Sequence, residues 1–374
     1  MSFEPLRTDV CIVGGGPAGL ATAIAARQRG LQVVVADFAQ PPIDKTCGEG
    51  LMPNTVAALR GLGVTLGSEQ AIPFRGIRFI DAGISAQGAF TRGHGLGIRR
   101  TTLHQVLVER AAAAGVQLFW RTRVTSPGPG EFLLGSRKIF SRWIIGADGR
   151  NSQVRKWAGL DRGHARHIRF AFRQHFRATP WSDFVEVHWG RDCQIVITPV
   201  SPAEVCLVVT SRSPQFRLKE ALAGFPEISR RLEGCAALTK DLGAVSGLRV
   251  IPSVCQGPFA LVGDASGSVD PLTGEGLGLA FEQAGALAEA LANQDLSSYP
   301  AAHRRIRRLP VLMSRLLLAM EKHAWLRRRV LKTLASEPPL FAQLLATHVG
   351  AFSPRDFGIG NILKLGWGLL ASPS

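Results

Sequence analysis

Cysteine and long apolar segments are scarce in this sequence, and each shortage excludes a class of protein. The six cysteines among 374 residues are scattered without a C-x-x-C pair, which argues against a disulfide framework and a zinc site. The nine histidines show no metal-ligand spacing, so no metal is expected. No run of 18 apolar residues occurs, so no transmembrane helix is predicted. The first strand begins within ten residues, which leaves no room for a secretory signal and predicts a cytoplasmic location.

Acidic residues are also few, since 28 Asp and Glu face 44 Lys and Arg and leave a net charge of +16. That excess invites a nucleic-acid partner. However, no zinc spacing, helix-turn-helix signal or aromatic RNA-binding motif accompanies it, so no nucleic-acid partner is expected. Mean hydropathy is +0.12, which is high for a globular chain and indicates apolar surface kept for a greasy ligand or a membrane face.

A glycine-rich stretch near the N-terminus is the strongest positive signal. The apolar run 10–13 predicts a strand, and Gly14, Gly16 and Gly19 then form a G-x-G-x-x-G motif that opens a helix. A second strand, 31–36, ends at Asp37, about 20 residues further on, where a carboxylate binds a ribose hydroxyl. The pattern predicts a dinucleotide site in an α/β domain.

Later segments add two ligand-facing turns and a second sheet. Strand 139–145 leads into Asp148-Gly149, and strand 259–262 leads into Gly263-Asp264 and a helix from about 276 to 293. Four strands between 168 and 211 predict an antiparallel sheet. In the first of these, the phenylalanines alternate with Arg169, Arg173 and His175.

The last 74 residues carry twelve Lys or Arg against three acids. An apolar helical stripe at 309, 312, 316 and 320 lies beside basic positions, including Arg304, Arg307, Arg308 and Arg315. Two interpretations stay open: a solvated cover on the core, or a basic amphipathic surface that contacts an anionic membrane. The Gly358-Ile359-Gly360 cluster has no strand before it, so no second nucleotide unit is predicted there.

Together, the ordered motifs resemble the single-component FAD-dependent hydroxylase and geranylgeranyl reductase superfamily, over about residues 8–290. The resemblance implies a Rossmann-like FAD-binding domain of the hydroxylase kind, an antiparallel-sheet substrate domain, non-covalent FAD, and NADPH or NADH as a transient electron donor. The implied boundaries are 1–75, 99–163 and 252–295 for FAD binding, 76–98 and 164–251 for the substrate, and 296–374 for a C-terminal helical basic region. The implied FAD-binding positions are Gly14, Gly16, Pro17, Ala18, Gly19, Asp37, Lys45, Gly48, Arg100, Val124, Asp148, Gly149, Gly263, Asp264, Pro271, Gly274, Gly276 and Leu277.

Three functions follow from this resemblance. The leading one is NAD(P)H-driven hydroxylation of a hydrophobic or aromatic molecule. The second is reduction of a carbon–carbon double bond, for which Cys47, in a Cys-Gly loop typical of the geranylgeranyl reductase branch, is the candidate proton donor. The third is flavin binding without turnover.

Catalytic roles are expected for Cys47, Pro271 and Gly274. Glu186 and His188 share a strand face and are candidates for a general base or for ordinary solvated residues. The reductases' aromatic Tyr-x-Trp-x-Phe-Pro motif is reduced here to Pro199, which weakens the case for a polyprenyl substrate.

Overall fold

The computed structural model describes residues 4–128, 130–162 and 165–352. Strands come from throughout the chain up to residue 268, and their order follows the predicted alternation of α/β and antiparallel segments. In chain order they are β1 (Leu6–Val13), β2 (Val33–Ala36), β3 (Gly50–Leu51), β4 (Ile72–Phe74), β5 (Gly76–Asp81), β6 (Ile84–Ala89), β7 (Gly95–Gly97), β8 (Gln117–Phe119), β9 (Val124–Gly128), β10 (Glu131–Leu134), β11 (Arg137–Gly146), β12 (Ala165–Arg177), β13 (Val185–Trp189), β14 (Cys193–Ser201), β15 (Glu204–Ser211), β16 (Leu242–Val250), β17 (Cys255–Gln256), β18 (Phe259–Leu261) and β19 (Gly267–Ser268).

Helices connect the strands of the two large sheets and follow the last of them. They are α1 (Pro17–Arg27), α2 (Pro53–Gly61), α3 (Arg100–Ala113), α4 (Gln153–Trp157), α5 (Leu218–Leu222), α6 (Pro226–Leu232), α7 (Gly276–Ala292), α8 (Tyr299–Lys322), α9 (Ala324–Ser336) and α10 (Pro338–His348).

The first large sheet has the order β17-β18-β11-β1-β2-β8, with the β9–β10 hairpin attached to β11. Its central strands are parallel, and the run Val33–Ala36 is buried throughout. A continuous apolar strand of this kind suits a parallel sheet covered on both faces. Here α1 packs against α7 and α3. Because α1 follows β1 directly in the chain, its first turn lies at the carboxyl end of β1.

The second large sheet has the order β19-β16-β12-β15-β14-β13-β5-β6, and a small sheet β3-β7-β4 lies beside it. Its pairs are antiparallel, apart from the parallel β13–β5 pair. The predicted alternation along β12 is confirmed. Phe172 and Phe176 pack with the residues of α5 and α6, whereas Arg169, Arg173 and His175 are buried on the other face.

The three C-terminal helices close over the second sheet. Phe341 of α10 stacks on Phe79 of β5 with ring centroids 5.6 Å apart, and Arg327 of α9 donates to Asp81 at 2.7 Å. Arg169 of β12 donates to Asp270 at 2.7 Å and to Glu321 of α8 at 2.8 Å. These ion pairs connect the last helices to the body of the protein. Because they are largely buried, removing one partner would leave an uncompensated charge at this contact.

The mixed α/β fold class with a C-terminal helical region is confirmed. The domain boundaries remain a prediction, and β19, which joins the second sheet, comes from within the segment assigned to FAD binding. The Gly358-Ile359-Gly360 cluster lies outside the described residues.

One member of the basic set is placed differently from the expectation of a solvated face. Arg307 is buried and donates to the carbonyl oxygens of Ser266 at 2.8 Å and Arg249 at 2.9 Å. Arg307 lies on the side of α8 that faces the core, so it links this helix to the two carbonyl oxygens.

In the described part of the chain, no helix combines the length and the hydropathy needed to cross a membrane.

Candidate active site

A single cavity of about 1200 Å³ extends from the carboxyl end of β1 to the C-terminal helices. At one end it is lined by the glycine-rich motif and polar groups. At the other end it is lined by apolar side chains from the second sheet and α8–α10. The two ends therefore offer different environments to a bound molecule.

At the polar end, backbone packing around the glycine motif is too close for side chains. Gly14 has φ +109°, and a Cβ atom there would lie 2.4 Å from the carbonyl oxygen of Ala147. A Cβ atom at Gly19 would lie 1.9 Å from the carbonyl oxygen of Gly14, which explains how α1 approaches β1 so closely. Among the described residues, no side chain caps the start of α1, so the amide dipoles of its first turn are available to an anion.

Asp37 lies where β2 ends, as its spacing predicts. Its Oδ2 accepts the amide hydrogen of Gly15 at 2.7 Å and its Oδ1 accepts that of Ala39 at 2.8 Å. These bonds fix the carboxylate at the edge of the cavity, where its remaining lone pairs can accept hydroxyl hydrogens.

Arg100 and Asp148 line the polar end of the cavity, and each carries a buried atom without a protein partner among the described residues. These atoms are Nη1 of Arg100 and Oδ1 of Asp148. The second oxygen of Asp148 accepts the amide hydrogens of Gln153 and Val154 at 2.6 and 3.2 Å. An orphaned donor and acceptor, beside a free helix N-terminus, fit the hydroxyls and phosphates of a dinucleotide.

Lys45 and Asp264 meet across the cavity, with Nζ 3.0 Å from Oδ2. The positive charge of Lys45 lowers the pKa of Asp264, and Asp264 raises the pKa of Lys45. Both groups are therefore ionised near neutral pH. Because both side chains are about half exposed, the pair contributes little to stability and stays free to contact a ligand.

The loop from Pro271 leads into α7 and forms another wall. Gly274 adopts φ +68°, which suits glycine, and ends the turn begun at Pro271. Within the part of the chain that the structure describes, α7 has no side-chain cap, so the positive end of its dipole is exposed at the loop. The N-terminus of this helix would stabilise negative charge on a bound ring system.

Cys47 lines the cavity from a loop held by a buried charge network. Burial raises the pKa of the Cys47 thiol, so the group is protonated near neutral pH. Two positions on, Glu49 accepts the amide hydrogen of Arg100 at 2.9 Å and contacts Arg173 at 3.2 Å and His175 at 2.7 Å. Arg173 also donates to Asp44 at 2.7 Å, so both ends of the loop are fixed.

Glu49, His175 and Cys206 also lie close enough to consider a metal ion. However, both carboxylate oxygens of Glu49 already have donors or a histidine partner. Burial also raises the pKa of the Cys206 thiol well above its usual range, so it is not a thiolate. The cluster is best described as a structural charge network.

The apolar end of the cavity forms a chamber against the second sheet. Its wall combines inward-facing β-branched and aromatic side chains of the sheet with residues of the last three helices. The chamber residues include Phe74, Ile77, Phe79, Val185, Val187, Met320, Leu326, Val330, Leu334, Phe341, Leu344 and Leu345. Such a wall excludes water and suits a hydrophobic ligand.

The structure brings the predicted site residues together. All of the predicted catalytic and binding positions line this cavity apart from Gly19, which packs behind Gly14. Glu186 and His188 do not line it. They alternate with Val185 and Val187 on β13, and Glu186 instead binds His188, Trp181 and Arg78. The expectation that they are ordinary solvated residues is wrong, because both side chains are buried and bound to each other.

Several site residues escaped prediction from the sequence. Glu49, Arg173 and His175 meet only because β12 crosses behind the Cys47 loop. The alternation of charged residues with phenylalanines on β12 was the signal that could have indicated these contacts. If the charged face of such a strand is buried, its side chains need partners of opposite charge or hydrogen-bond partners. The chamber residues of α9 and α10 gave no signal of their own.

The fold and this cavity define a class, the α/β oxidoreductases that hold a flavin dinucleotide between two sheets. Residues 7–295 match the family described as FAD binding domain, and the chain belongs to that family. The protein is an FAD-dependent oxidoreductase of the hydroxylase kind, and the family resemblance inferred from the sequence is confirmed.

Two curated relatives cover most of the chain. A menaquinone reductase from Mycolicibacterium smegmatis is 28% identical over 330 residues, which is 79% of each chain. A 3-demethoxyubiquinol 3-hydroxylase from Escherichia coli is 25% identical over 351 residues, covering 81% of this chain and 85% of its own. A solved flavoprotein/dehydrogenase from Cytophaga hutchinsonii shares the fold with a TM-score of 0.80 at 16% identity, covering 97% of this chain and 98% of its own.

Proposed function

We propose that the enzyme is a monooxygenase that hydroxylates a hydrophobic or aromatic small molecule, with NADPH or NADH as electron donor. The observation that carries this proposal is the continuity of the polar end with the apolar chamber in one cavity. A ring bound in that chamber would lie against the dinucleotide site without intervening solvent. Quinone-type rings are the favoured class, because the two relatives described above are named for menaquinone and a ubiquinol.

Bound FAD would supply the oxygen and hydride chemistry, and the residues of this chain would bind, orient and exclude water. Asp37, Arg100 and Asp148 present the partners for the dinucleotide, and Lys45 and Asp264 present a pair of opposite charges beside it. The apolar chamber keeps water from the reacting ring, which matters because water diverts oxygen-activating flavins to hydrogen peroxide.

Reduction of a carbon–carbon double bond is the second candidate, and the protonated thiol of Cys47 favours it. Cys47 lines the cavity within a rigid loop, so it could deliver the proton that accompanies a hydride. The menaquinone reductase relative gives this candidate further support.

Product mass and oxygen consumption distinguish the two reactions. Purified holoenzyme is incubated with NADPH and a panel of lipophilic quinones and phenols, first to find the compound that accelerates flavin reduction. A product that gains one oxygen atom with matching oxygen uptake supports hydroxylation. A product that gains two hydrogens without oxygen uptake supports reduction. If no compound in the panel changes flavin reduction and none is converted, the proposed substrate class is wrong.

Peripheral contact with an anionic membrane is part of this proposal, and exposed apolar side chains of α8 and α9 support it. Leu312 and Trp325 are 55% and 61% exposed, and Leu316 is exposed while also lining the cavity. The exposed Arg308 and Arg315 lie on the same helix as the two leucines. Exposed apolar side chains flanked by cationic ones are typical of surfaces that bind anionic membranes.

Cosedimentation with vesicles tests this contact. Each cation near an anionic surface contributes about 1 kcal/mol, so replacing Arg304, Arg308 and Arg315 with Gln should weaken binding roughly 100-fold. A control variant replaces three exposed arginines elsewhere, Arg60, Arg92 and Arg191. Equal binding of the full chain to neutral and anionic vesicles at low salt would contradict the proposal.

A further inference from the structure

His104 of α3 is a buried histidine that the function proposed above does not use. The residue is 0% exposed and lies behind the glycine-rich motif. Its Nε2 is 2.9 Å from the carbonyl oxygen of Gly15, and its Nδ1 is 3.3 Å from the amide nitrogen of Ile43. The ring therefore joins the segments that follow β1 and β2 at the polar end of the cavity, which Ile43 lines.

These two contacts determine the tautomer of the ring. A carbonyl oxygen only accepts a hydrogen bond, so Nε2 carries a hydrogen, and a backbone amide only donates, so Nδ1 presents its lone pair. The neutral imidazole with its hydrogen on Nε2 satisfies both contacts, whereas the protonated ring would turn a donor towards the Ile43 amide. Burial lowers the pKa of His104 below its usual 6.5, and the charge of Arg100 adds to this shift, while the bond to Gly15 and the charge of Asp37 oppose it.

Both backbone polar groups of Gly15 are bound by side chains. Its amide hydrogen bonds to Oδ2 of Asp37 at 2.7 Å, and its carbonyl oxygen accepts from His104. A Cβ atom at this position would lie 2.3 Å from the ring of Trp120, so the residue is also packed on its remaining side. A glycine backbone has many conformations open to it, and these three contacts hold Gly15 in one of them.

The bond to His104 determines the direction of the next amide in the chain. The peptide between Gly15 and Gly16 is trans, so its N–H points opposite to its C=O. Since the carbonyl oxygen points towards His104, the amide hydrogen of Gly16 points away from it, and Gly16 lines the cavity. Pro17, the first residue of α1, has no amide hydrogen, so Gly16 is the first donor that this turn can offer to a phosphate.

We propose that His104 is a positioning residue for FAD, which holds the Gly15 carbonyl oxygen and so directs the Gly16 amide towards the pyrophosphate of the cofactor. His104 itself does not touch the cofactor and exchanges no proton or electron with it. The bond from Ile43 keeps the hydrogen of the ring on Nε2, which keeps the ring a donor to Gly15. FAD binding alone expresses this role, so it is independent of the substrate and the reaction proposed above.

Two amide substitutions separate this role from packing. The side-chain nitrogen of His104→Gln can reach the position of Nε2 and donate to Gly15, whereas the shorter side chain of His104→Asn reaches only the position of Nδ1. We expect the FAD dissociation constant, measured by flavin fluorescence on dilution of holoenzyme, to stay within about three-fold of wild type in His104→Gln and to rise about 10- to 100-fold in His104→Asn. His94→Gln, which changes an exposed histidine, is the control and should bind FAD as wild type does.

Urea unfolding of the FAD-free full chain measures the effect on packing separately. Each amide variant keeps one of the two contacts of His104, so we expect the two FAD-free variants to have equal urea midpoints. Equal FAD affinity in the two variants, or an FAD affinity that falls in step with the urea midpoint, would overturn the proposal.

The tautomer can be measured in wild type, so the outcome does not depend on the folding of either variant. In holoenzyme labelled with ¹⁵N-histidine, the His104 signals are identified by nuclear Overhauser contacts with the ring of Trp120, whose centroid lies 6.1 Å away. We expect a neutral ring with its hydrogen on Nε2 at neutral pH, because burial lowers the pKa of His104. A charged ring at neutral pH, or a neutral ring with its hydrogen on Nδ1, would refute the assignment of His104 as the donor to Gly15.

Discussion

Replacing Glu49 with Gln should destabilise the protein while leaving its shape unchanged. Glu49 is 2% exposed and holds the amide of Arg100, the guanidinium of Arg173 and the ring of His175. The substitution keeps an acceptor oxygen but removes the charge. Arg173 would retain Asp44, so its positive charge would not be left alone.

The magnitude follows from these contacts. Breaking a buried ion pair by removing one partner costs about 3–5 kcal/mol, and the surviving bond to Asp44 places this case near the lower end, at about 3 kcal/mol. Glu49 also has φ +58°, a conformation that costs an L-residue roughly 1–2 kcal/mol. Glu49→Gly would remove this strain, but it should still be destabilising because all three contacts are lost.

Urea unfolding measured on holoenzyme tests the reasoning, with Glu289→Gln on the exposed side of α7 as control. We expect the control to match wild type and both Glu49 variants to unfold at a lower urea concentration. In a thermal melt, the melting temperature of Glu49→Gln should fall by an amount on the order of 5 °C. A loss of stability below about 1 kcal/mol in Glu49→Gln, or a more stable Glu49→Gly, would refute the view that this carboxylate holds the loop.

Three further predictions concern other parts of the protein. Gly14→Ala should purify without flavin absorbance, because its Cβ would lie 2.4 Å from the Ala147 carbonyl oxygen. The control Gly61→Ala, whose Cβ would meet open space, should keep FAD. Full FAD occupancy in Gly14→Ala would contradict the assignment. Cys47→Ser should hydroxylate at nearly the wild-type rate, measured by product mass, and a loss of about ten-fold or more would favour double-bond reduction. Burial lowers the pKa of His303 from 6.5 to about 3, so its neutral form favours the folded state above pH 6.5 and this contribution is lost as the pH falls towards 3. The urea midpoint of wild type should therefore fall more between pH 7 and about 5 than that of His303→Gln, and parallel pH dependences would refute this.

The nucleotide end of the cavity could be predicted from the sequence because its determinants are local. The strand that ends at Val13, the glycines that follow it and the carboxylate of Asp37 lie within about one β–α–β unit, where spacing fixes geometry. Asp148 and Asp264 also follow buried strands of the same sheet. Parallel strands bring their carboxyl ends to one edge, so these residues converge without further information.

The remainder depends on contacts between distant segments. The alternation on β12 was correctly predicted, yet it does not reveal that the charged face is buried, because Arg173 finds Asp44 and Glu49 some 125 residues earlier in the chain. The same holds for His104, whose partner Gly15 lies 89 residues away. The inward position of Arg307 was missed because a solvated basic helix and a bracing one share the same periodicity.

The last three helices supply much of the apolar wall, whereas the dinucleotide end is built by residues that precede them. The residues of these helices that line the chamber and the residues that line the dinucleotide end therefore belong to different segments of the chain. Exchanging the segment 299–352 for that of a related flavoprotein would alter what fits the chamber. The cofactor end would stay intact provided that Glu321 and Arg327, which pair with Arg169 and Asp81, are kept together with Arg307, which bonds Ser266 and Arg249. Such chimeras offer a direct route to new substrates on an unchanged flavin scaffold.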